Sequence, residues 1–575
     1  MFRKLRLNLL PHPLRSRAHS FANKPRPPRR PPTTPPVQAA AATKTSSTSL
    51  LSKTLCALLI GTPTLILAYA YIDTGFQRSL TFWSKAAPIY AVYRYKEWEF
   101  QDKTEEEYDQ ELVRLHNKYA DNVLSIILDM KGFYIKIGQM GSQRDDFVHE
   151  AFLKRLRTLQ NSVPPRPISF VYDTISSELG RPWSEVFSSI DEYPLGAASI
   201  GQVHRAILKD TNEVVCIKLQ YPNVEKEFSW DMTTIKSFVK LAVPAHLPFF
   251  NEIEKQFASE FDYRKEADNL IQIRRHLLPL YEDMIEIPMP RMKLTTKRML
   301  TMNMLNGRPL PDEAQRRFEH LKNLTNSTDS TDSTDSDMKV GLSEKEYDAI
   351  ATSLSWMDTL ANTKICIQKW TVGFFTSSRY EYQKTLPPLN LPRILKQIWD
   401  VHGHELLLCG CFNGDPHPGN ILILENGKIG LIDYGQVKRI KKDVRINIAK
   451  MCVALCANDE EEIVRIQLEG FGLRTQKNDP WVLGKHARVA WDNAGRQVCE
   501  GLNVQLFAEK LDQMDPIVKS VDDLVMPIRM CMMIWGLSYY MKYTDQRVCV
   551  ELLPKAKELL LMEEPDYLKK YPEVF

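Results

Sequence analysis

The stretch Asn413-Gly414-Asp415-Pro416-His417-Pro418-Gly419-Asn420-Ile421-Leu422-Ile423-Leu424, with Gly430-Leu431-Ile432-Asp433-Tyr434-Gly435 shortly after it, decides the fold. Asp415 and Asn420 stand five positions apart, an apolar run of strand character follows, and Asp433 precedes Tyr-Gly. A phosphoryl-transfer catalytic loop and its metal-binding turn are written in this order. Phosphoryl transfer needs oxygen ligands on Mg²⁺ and a carboxylate beside the attacking hydroxyl or water, and little covalent help from the protein. Asp433 is therefore the candidate metal ligand, Asn420 a second metal contact, and Asp415 the group that orients or deprotonates the acceptor. An ordinary Asn-Gly-Asp-Pro turn before a hairpin would account for the loop alone, so the upstream residues have to decide.

They carry the remaining parts. Gly196-Ala197-Ala198-Ser199-Ile200-Gly201-Gln202-Val203 has the G-x-G-x-x-G-x-V layout of a phosphate loop, with Ala198 in place of the middle glycine. Val214-Val215-Cys216-Ile217-Lys218 then ends a strand on a lysine suited to phosphate. A glycine-rich loop alone is weak evidence; joined to a strand lysine and the Asp415, Asn420 and Asp433 set, it predicts a site for ATP and Mg²⁺. A helix beginning near Glu252 should supply the glutamate that orients Lys218, with Glu260, Asp262 and Glu266 as candidates. Arg298 to Gly307 reads as a strand entering a glycine-marked linker between lobes, which places Met302 and Met304 against adenine.

Of the 575 residues, 43% are hydrophobic and 25% charged, a globular composition with ample core. A net charge of +4 conceals an asymmetry: residues 1–72 hold eleven basic and no acidic side chains, so the remainder carries −7. A nucleic-acid-binding body is disfavoured on that ground. The ten cysteines match neither a metal knuckle nor a disulfide framework and are read as core thiols.

Residues 1–45 are Arg-rich and acid-free, the composition of a mitochondrial transit peptide. Thr54 to Ile72 is uncharged; at about 1.5 Å per residue it would cross a bilayer as one transmembrane helix. Basic residues precede it and Asp73 follows, so the positive-inside rule orients the body towards the intermembrane space. The expectation is a single-pass protein of the mitochondrial inner membrane. Apolar residues at three- and four-residue steps then predict helices over 104–165. Residues 308–400 are read as a linker containing a disordered Ser-Thr-Asp insert at 323–337, and 401–575 as a helical lobe.

The assembled motifs resemble the UbiB or aarF-domain family of atypical kinases, in its mitochondrial branch. Lys136-Ile137-Gly138-Gln139 is similar to the family's KxGQ signature, and Gln160 to Pro165 to the segment that closes it. Gly196 to Ser199 occupies the alanine-rich loop, with glycine where alanine is usual. Glu260-Phe261-Asp262 resembles the ExD motif, Glu266 stands in the place of the lysine-pairing glutamate, and Asp415 to Asn420 is similar to the family's catalytic loop. The resemblance implies an α+β, bilobal protein-kinase-like fold: an N-lobe at 166–307, a helical C-lobe, and the helical extension 104–165 lying over the active site. It also implies that Lys136, Gly138, Gln139, Glu260 and Asp262 regulate the site, and that the chain is an ATPase or atypical kinase supporting coenzyme Q biosynthesis, distribution or mitochondrial lipid homeostasis. Quinone or lipid intermediates and the inner membrane are the implied partners. Two other readings stand beside it: a protein kinase acting in trans, favoured by Gly196, and a nucleotide-binding scaffold without turnover.

Overall fold

The computed structural model describes residues 73–574 apart from 102, 142–147, 162–164, 198–199, 245–246, 259, 326–341, 372–381, 383, 496, 503, 520, 542 and 544–545. Helix α1 (Thr74–Glu99) opens on Asp73, whose carboxylate accepts the Phe76 N–H at 2.7 Å. A capping box starts α2 (Glu105–Met130), where the Thr104 hydroxyl and the Glu107 carboxylate each accept the other residue's N–H. Lys131, at φ 55°, breaks the helix before α3 (Gly132–Gly141). After α4 (Glu150–Leu156), a 3₁₀ turn over Arg157–Asn161 leads towards α5 (Ile168–Leu179).

Strands β1 (Phe187–Ile190), β2 (Gly196–Ala197), β3 (Gly201–Leu208) and β4 (Val214–Gln220) are joined in one antiparallel sheet by the later β6 (Met299–Asn303). The order is β1-β3-β4-β6, with β2 hung on β3. The two-residue period of β4 sorts its side chains. Val215, Ile217 and Leu219 are fully buried against Val171 and Ile175 of α5; Cys216 and Lys218 face the other way, into a cleft.

Three helices follow: α6 (Val224–Ala242), α7 (Leu247–Ala258) and α8 (Tyr263–Tyr281). The extension is tied to them by an apolar core in which Phe82, Met130, Phe133 and Tyr134 pack with Phe228, Met232, Phe257 and Phe261. Each such side chain contributes roughly 1.5–3 kcal/mol by burial. Arg78 adds a two-pronged ion pair to buried Asp231, at 2.9 and 2.7 Å.

A second sheet of order β5-β10-β9-β7 joins β5 (Ile285–Glu286), β7 (Gly307–Pro309), β9 (Ile421–Leu424) and β10 (Ile429–Leu431). β8 (Cys411–Asn413) pairs with β11 (Val437–Arg439), so the loop 414–420 and the turn 433–435 are each gripped by short strands. The expected linker 308–400 carries helices α9 (Leu310–Thr325), α10 (Glu344–Thr371) and the start of α11 (Leu391–Gly403). Residues 326–337 of the expected insert lie outside the described residues. Helices α12 (Lys442–Ala457), α13 (Asp522–Tyr540) and α14 (Val548–Glu563) build the C-lobe core around Trp399, Met451, Cys452, Met530 and Leu552.

The localisation expected from the sequence is corrected. Among the described residues no helix is long and apolar enough to cross a membrane, which conflicts with a single-pass protein of the mitochondrial inner membrane facing the intermembrane space. Helix α1 has the length, but Arg78, Lys85, Arg94, Lys96, Glu97 and Glu99 stud it, and it buries Phe82 and Ala86 against protein. The transit-peptide segment 1–45 and the segment 54–72 lie outside the described residues.

Candidate active site

Register sets the centre of the cleft. On β4, Lys218 pairs with Val203 of β3 and Leu300 of β6, and its ammonium lies 2.9 Å from both Glu266 oxygens and 3.6 Å from Asp433 Oδ2. Of the three acidic candidates, Glu266 is thus the partner of Lys218. It sits one turn into α8, 4% exposed. Burial alone would lower the Lys218 pKa, but Asp433 and Glu266 outweigh it and hold the ammonium well above the ordinary lysine value. Burial would raise Asp433; Lys218 and the Gly435 N–H, which donates to Oδ1 at 2.9 Å, hold it below the usual carboxylate range. Glu266 is pushed up to about 7 by burial, against the pull of Lys218.

A cavity of about 450 Å³ opens from this pair. Its lining includes Gly196, Ala197, Lys218, Met302, Met304, Asn420 and Asp433, so the loop, strand, hinge and metal candidates converge although 237 positions separate the first from the last. Ala198 and Ser199 lie outside the described residues. Tyr263 lines the same cavity. Its ring centroid is 5.2 Å from the Lys218 ammonium, and its buried hydroxyl has no hydrogen-bond partner among the described residues, a donor suited to a phosphate oxygen. Asp433 and Asn420 together offer hard oxygen donors of the kind Mg²⁺ takes. Among the described residues no group of three or more His, Cys, Asp or Glu could hold a metal, so a Mg²⁺ ion held by these two would complete its shell with phosphate and water.

Gly201 is forced at the cavity roof. A Cβ there would stand 2.3 Å from the Leu219 carbonyl oxygen and 3.0 Å from the Tyr263 hydroxyl. Gly201→Ala is expected to pry β3 from β4 and cost about 1–3 kcal/mol, read as a fall in melting temperature with weakened nucleotide protection.

The extension reaches the same centre. Gly138 is tight because a Cβ would meet Leu159 at 2.5 Å, and Gln139 Nε2 donates to the Leu159 carbonyl at 2.9 Å. These two residues dock the 3₁₀ turn, which accounts for a glycine inside a helix. Lys136 sits over Phe257, 5.8 Å from the ring centroid. Burial pushes Glu260 up to about 7, opposed first by Lys136 and reinforced by Asp433; Glu260 also accepts from Gln436, beside the metal turn. Asp262 has a different place: it caps α8 through the Arg264 N–H at 3.1 Å and pairs with the Arg264 guanidinium at 2.7 Å.

Beneath the loop lies a scaffold to which the sequence assigned no role. Glu405, fully buried, accepts the Tyr434 hydroxyl at 2.8 Å and the Asn413 N–H at 3.2 Å. Asn413 Nδ2 in turn donates to the Asp433 carbonyl at 2.9 Å, and its Oδ1 accepts the Asp415 N–H, also at 2.9 Å. One carboxylate therefore locks the catalytic loop to the metal turn, and the Tyr of Asp-Tyr-Gly was its available signal. Burial raises Glu405 to about 7. A carboxyl raised on folding contributes stability at low pH and loses it as pH rises through the folded value. Glu405→Ala, which strands both donors, is expected to melt lower than wild type, with the gap widest near pH 5 and narrowing towards pH 8.

Residues 158–329 and 357–467 match the ABC1 atypical kinase-like domain. An uncharacterized protein of Synechocystis is 25% identical over 60% of this chain and 71% of its own length. Protein ACTIVITY OF BC1 COMPLEX KINASE 1, chloroplastic, of Arabidopsis thaliana is 25% identical over 78% of this chain and 55% of its own. AarF domain-containing kinase 1 of Drosophila melanogaster is 31% identical over 38% of this chain and 42% of its own. The chain thus spans about half the length of the plant and fly proteins. A mycobacterial structure, Rv3197 with erythromycin, aligns over 80% of this chain and 98% of its own at 19% identity and a TM-score of 0.43, too distant to carry an argument. On the matched domain and the site it encloses, this chain belongs to the UbiB/aarF family of ABC1 atypical kinase-like proteins.

Proposed function

We propose that this chain binds MgATP and transfers or releases its γ-phosphoryl group, with a lipid, a quinone precursor or water as acceptor, in support of quinone-lipid metabolism. The observation that carries the reading is Lys218 held between Glu266 and Asp433 in a cavity that Asn420 also lines. Lys218 would hold the α/β phosphates, Glu266 would keep it extended, and Asp433 and Asn420 would hold Mg²⁺, which neutralises the charge that develops on the phosphoryl oxygens. Asp415 would position the acceptor; Met302 and Met304 would face adenine.

A small acceptor is favoured over a peptide by the electrostatic reach of the extension to Asp433. Lys136 acts electrostatically on both Glu260 and Asp433, and Gly138 and Gln139 pin α3 to the turn behind it. Such a lid would position a buried acceptor and exclude bulk water.

Phosphate release from MgATP by the full chain, with and without vesicles containing a quinone, tests this reading, alongside Asp433→Asn. Turnover that depends on Asp433 and rises with the vesicles supports it. Equal release by wild type and Asp433→Asn would sink it, and phosphate appearing on a second protein would shift the assignment to a protein kinase.

A further inference from the structure

The loop from Asn413 to Asn420 contains no lysine or arginine, although phosphoryl transfer places negative charge beside it and a cation there would be stabilising. A helix distant in sequence brings one. Arg529 of α13 donates from Nη2 to Asp415 Oδ1 at 3.2 Å. Among the described residues Asp415 has no other side-chain partner on its carboxylate, which leaves Oδ2 open.

The contact is built by packing. Met526 and Arg529 lie three positions apart on one face of α13, and Met526 approaches the preceding loop residue, its sulfur 3.8 Å from where a Gly414 Cβ would stand. Leu524, Met530 and Ile534 of the same helix are buried in the C-lobe core, and Lys441 pairs with Asp523 at its start at 3.0 Å. The buried face of the helix sets its position, and the guanidinium is delivered to one oxygen of Asp415. With Asn413 holding the Asp415 N–H, backbone and side chain are each fixed by a separate partner.

We propose that Arg529 is a positioning residue for Asp415: it anchors one carboxylate oxygen so that the other faces the phosphoryl acceptor. This rests on the role given to Asp415 above. Neither Arg529 nor Asp415 lines the cavity, so the contact orients Asp415 from outside the nucleotide-binding space.

The test measures kcat and KM for ATP by phosphate release from the full chain carrying Arg529→Gln, Arg529→Lys, Asp415→Asn and the Asp415→Asn/Arg529→Gln pair, with nucleotide-induced melting shifts as a second readout. Arg529→Gln should lower kcat about tenfold, the loss of one charge-assisted hydrogen bond, and leave KM and the melting shift unchanged. Lysine should restore part of the rate. The double variant should be no slower than Asp415→Asn alone, because Arg529 acts only through that carboxylate. A wild-type kcat for Arg529→Gln beside a dead Asp415→Asn overturns the inference and leaves the proposed function standing. Faster turnover in Arg529→Gln overturns it in favour of a brake, and losses that multiply in the pair overturn it in favour of a general structural role. Wild-type turnover by Asp415→Asn removes the assignment of Asp415, and this inference with it.

Discussion

Asp433→Asn is expected to lower MgATP turnover at least about a hundredfold, the scale of removing a principal electrostatic contact in a reacting site. The substitution is nearly isosteric. The Asp433 backbone carbonyl keeps its bond from Asn413, so the metal turn keeps its path while losing the carboxylate that Lys218 and Gly435 hold ionised. A neutral amide oxygen is a weaker ligand for a hard cation than a charged carboxylate. Nucleotide should still bind, with a melting shift that no longer depends on Mg²⁺. Phosphate release and thermal shifts with and without Mg²⁺ separate these effects; a Mg²⁺-dependent shift of wild-type size would remove Asp433 from the metal site.

The second large effect is expected from Lys218→Met, on stability as well as activity. Lys218 is the cation bonded to Glu266 and within ion-pair distance of Asp433. Removing one partner of a buried ion pair leaves an uncompensated charge and costs roughly 3–5 kcal/mol. Glu266 already titrates near 7 with the lysine present, and without it the carboxyl rises further. Its folded-state value is then above its unfolded one, so its stabilising share is present at low pH and lost as pH rises through the folded value. The deficit of Lys218→Met should therefore be small at pH 6 and large at pH 8.5 in thermal melts. Adding Glu266→Met should recover much of the stability and none of the turnover, because the phosphate contact is still missing. A deficit that does not vary with pH would show that Lys218 is not what keeps these carboxylates charged.

The order of the motifs made the fold legible. The candidate catalytic loop, metal turn, strand lysine and glycine loop are local patterns, and Asn420, Asp433, Lys218 and Gly196 from them line one cavity, which Asp415 does not. The choice among Glu260, Asp262 and Glu266 was different in kind. All three lie within seven residues, and only the packing of α8 against β6, the neighbour of β4, decides that Glu266 meets Lys218, Glu260 meets Gln436 and Asp262 caps its own helix.

Glu405 and Arg529 lay outside every pattern because their partners are 29 and 114 positions away; no short-range rule connects a buried carboxylate to a distant tyrosine. The membrane expectation rested on composition over 54–72, which lies outside the described residues, and no described helix is long and apolar enough to cross a membrane. What the sequence by itself determined, then, is the kinase-like fold and a set of candidate groups for phosphate and metal, since these follow from local chemistry and spacing. What only the tertiary structure decided is which acidic residue pairs with Lys218, how Glu405 locks the loop to the turn, and that Arg529 reaches Asp415. Long-range packing sets those distances, and ion pairs and buried hydrogen bonds form or fail within an ångström.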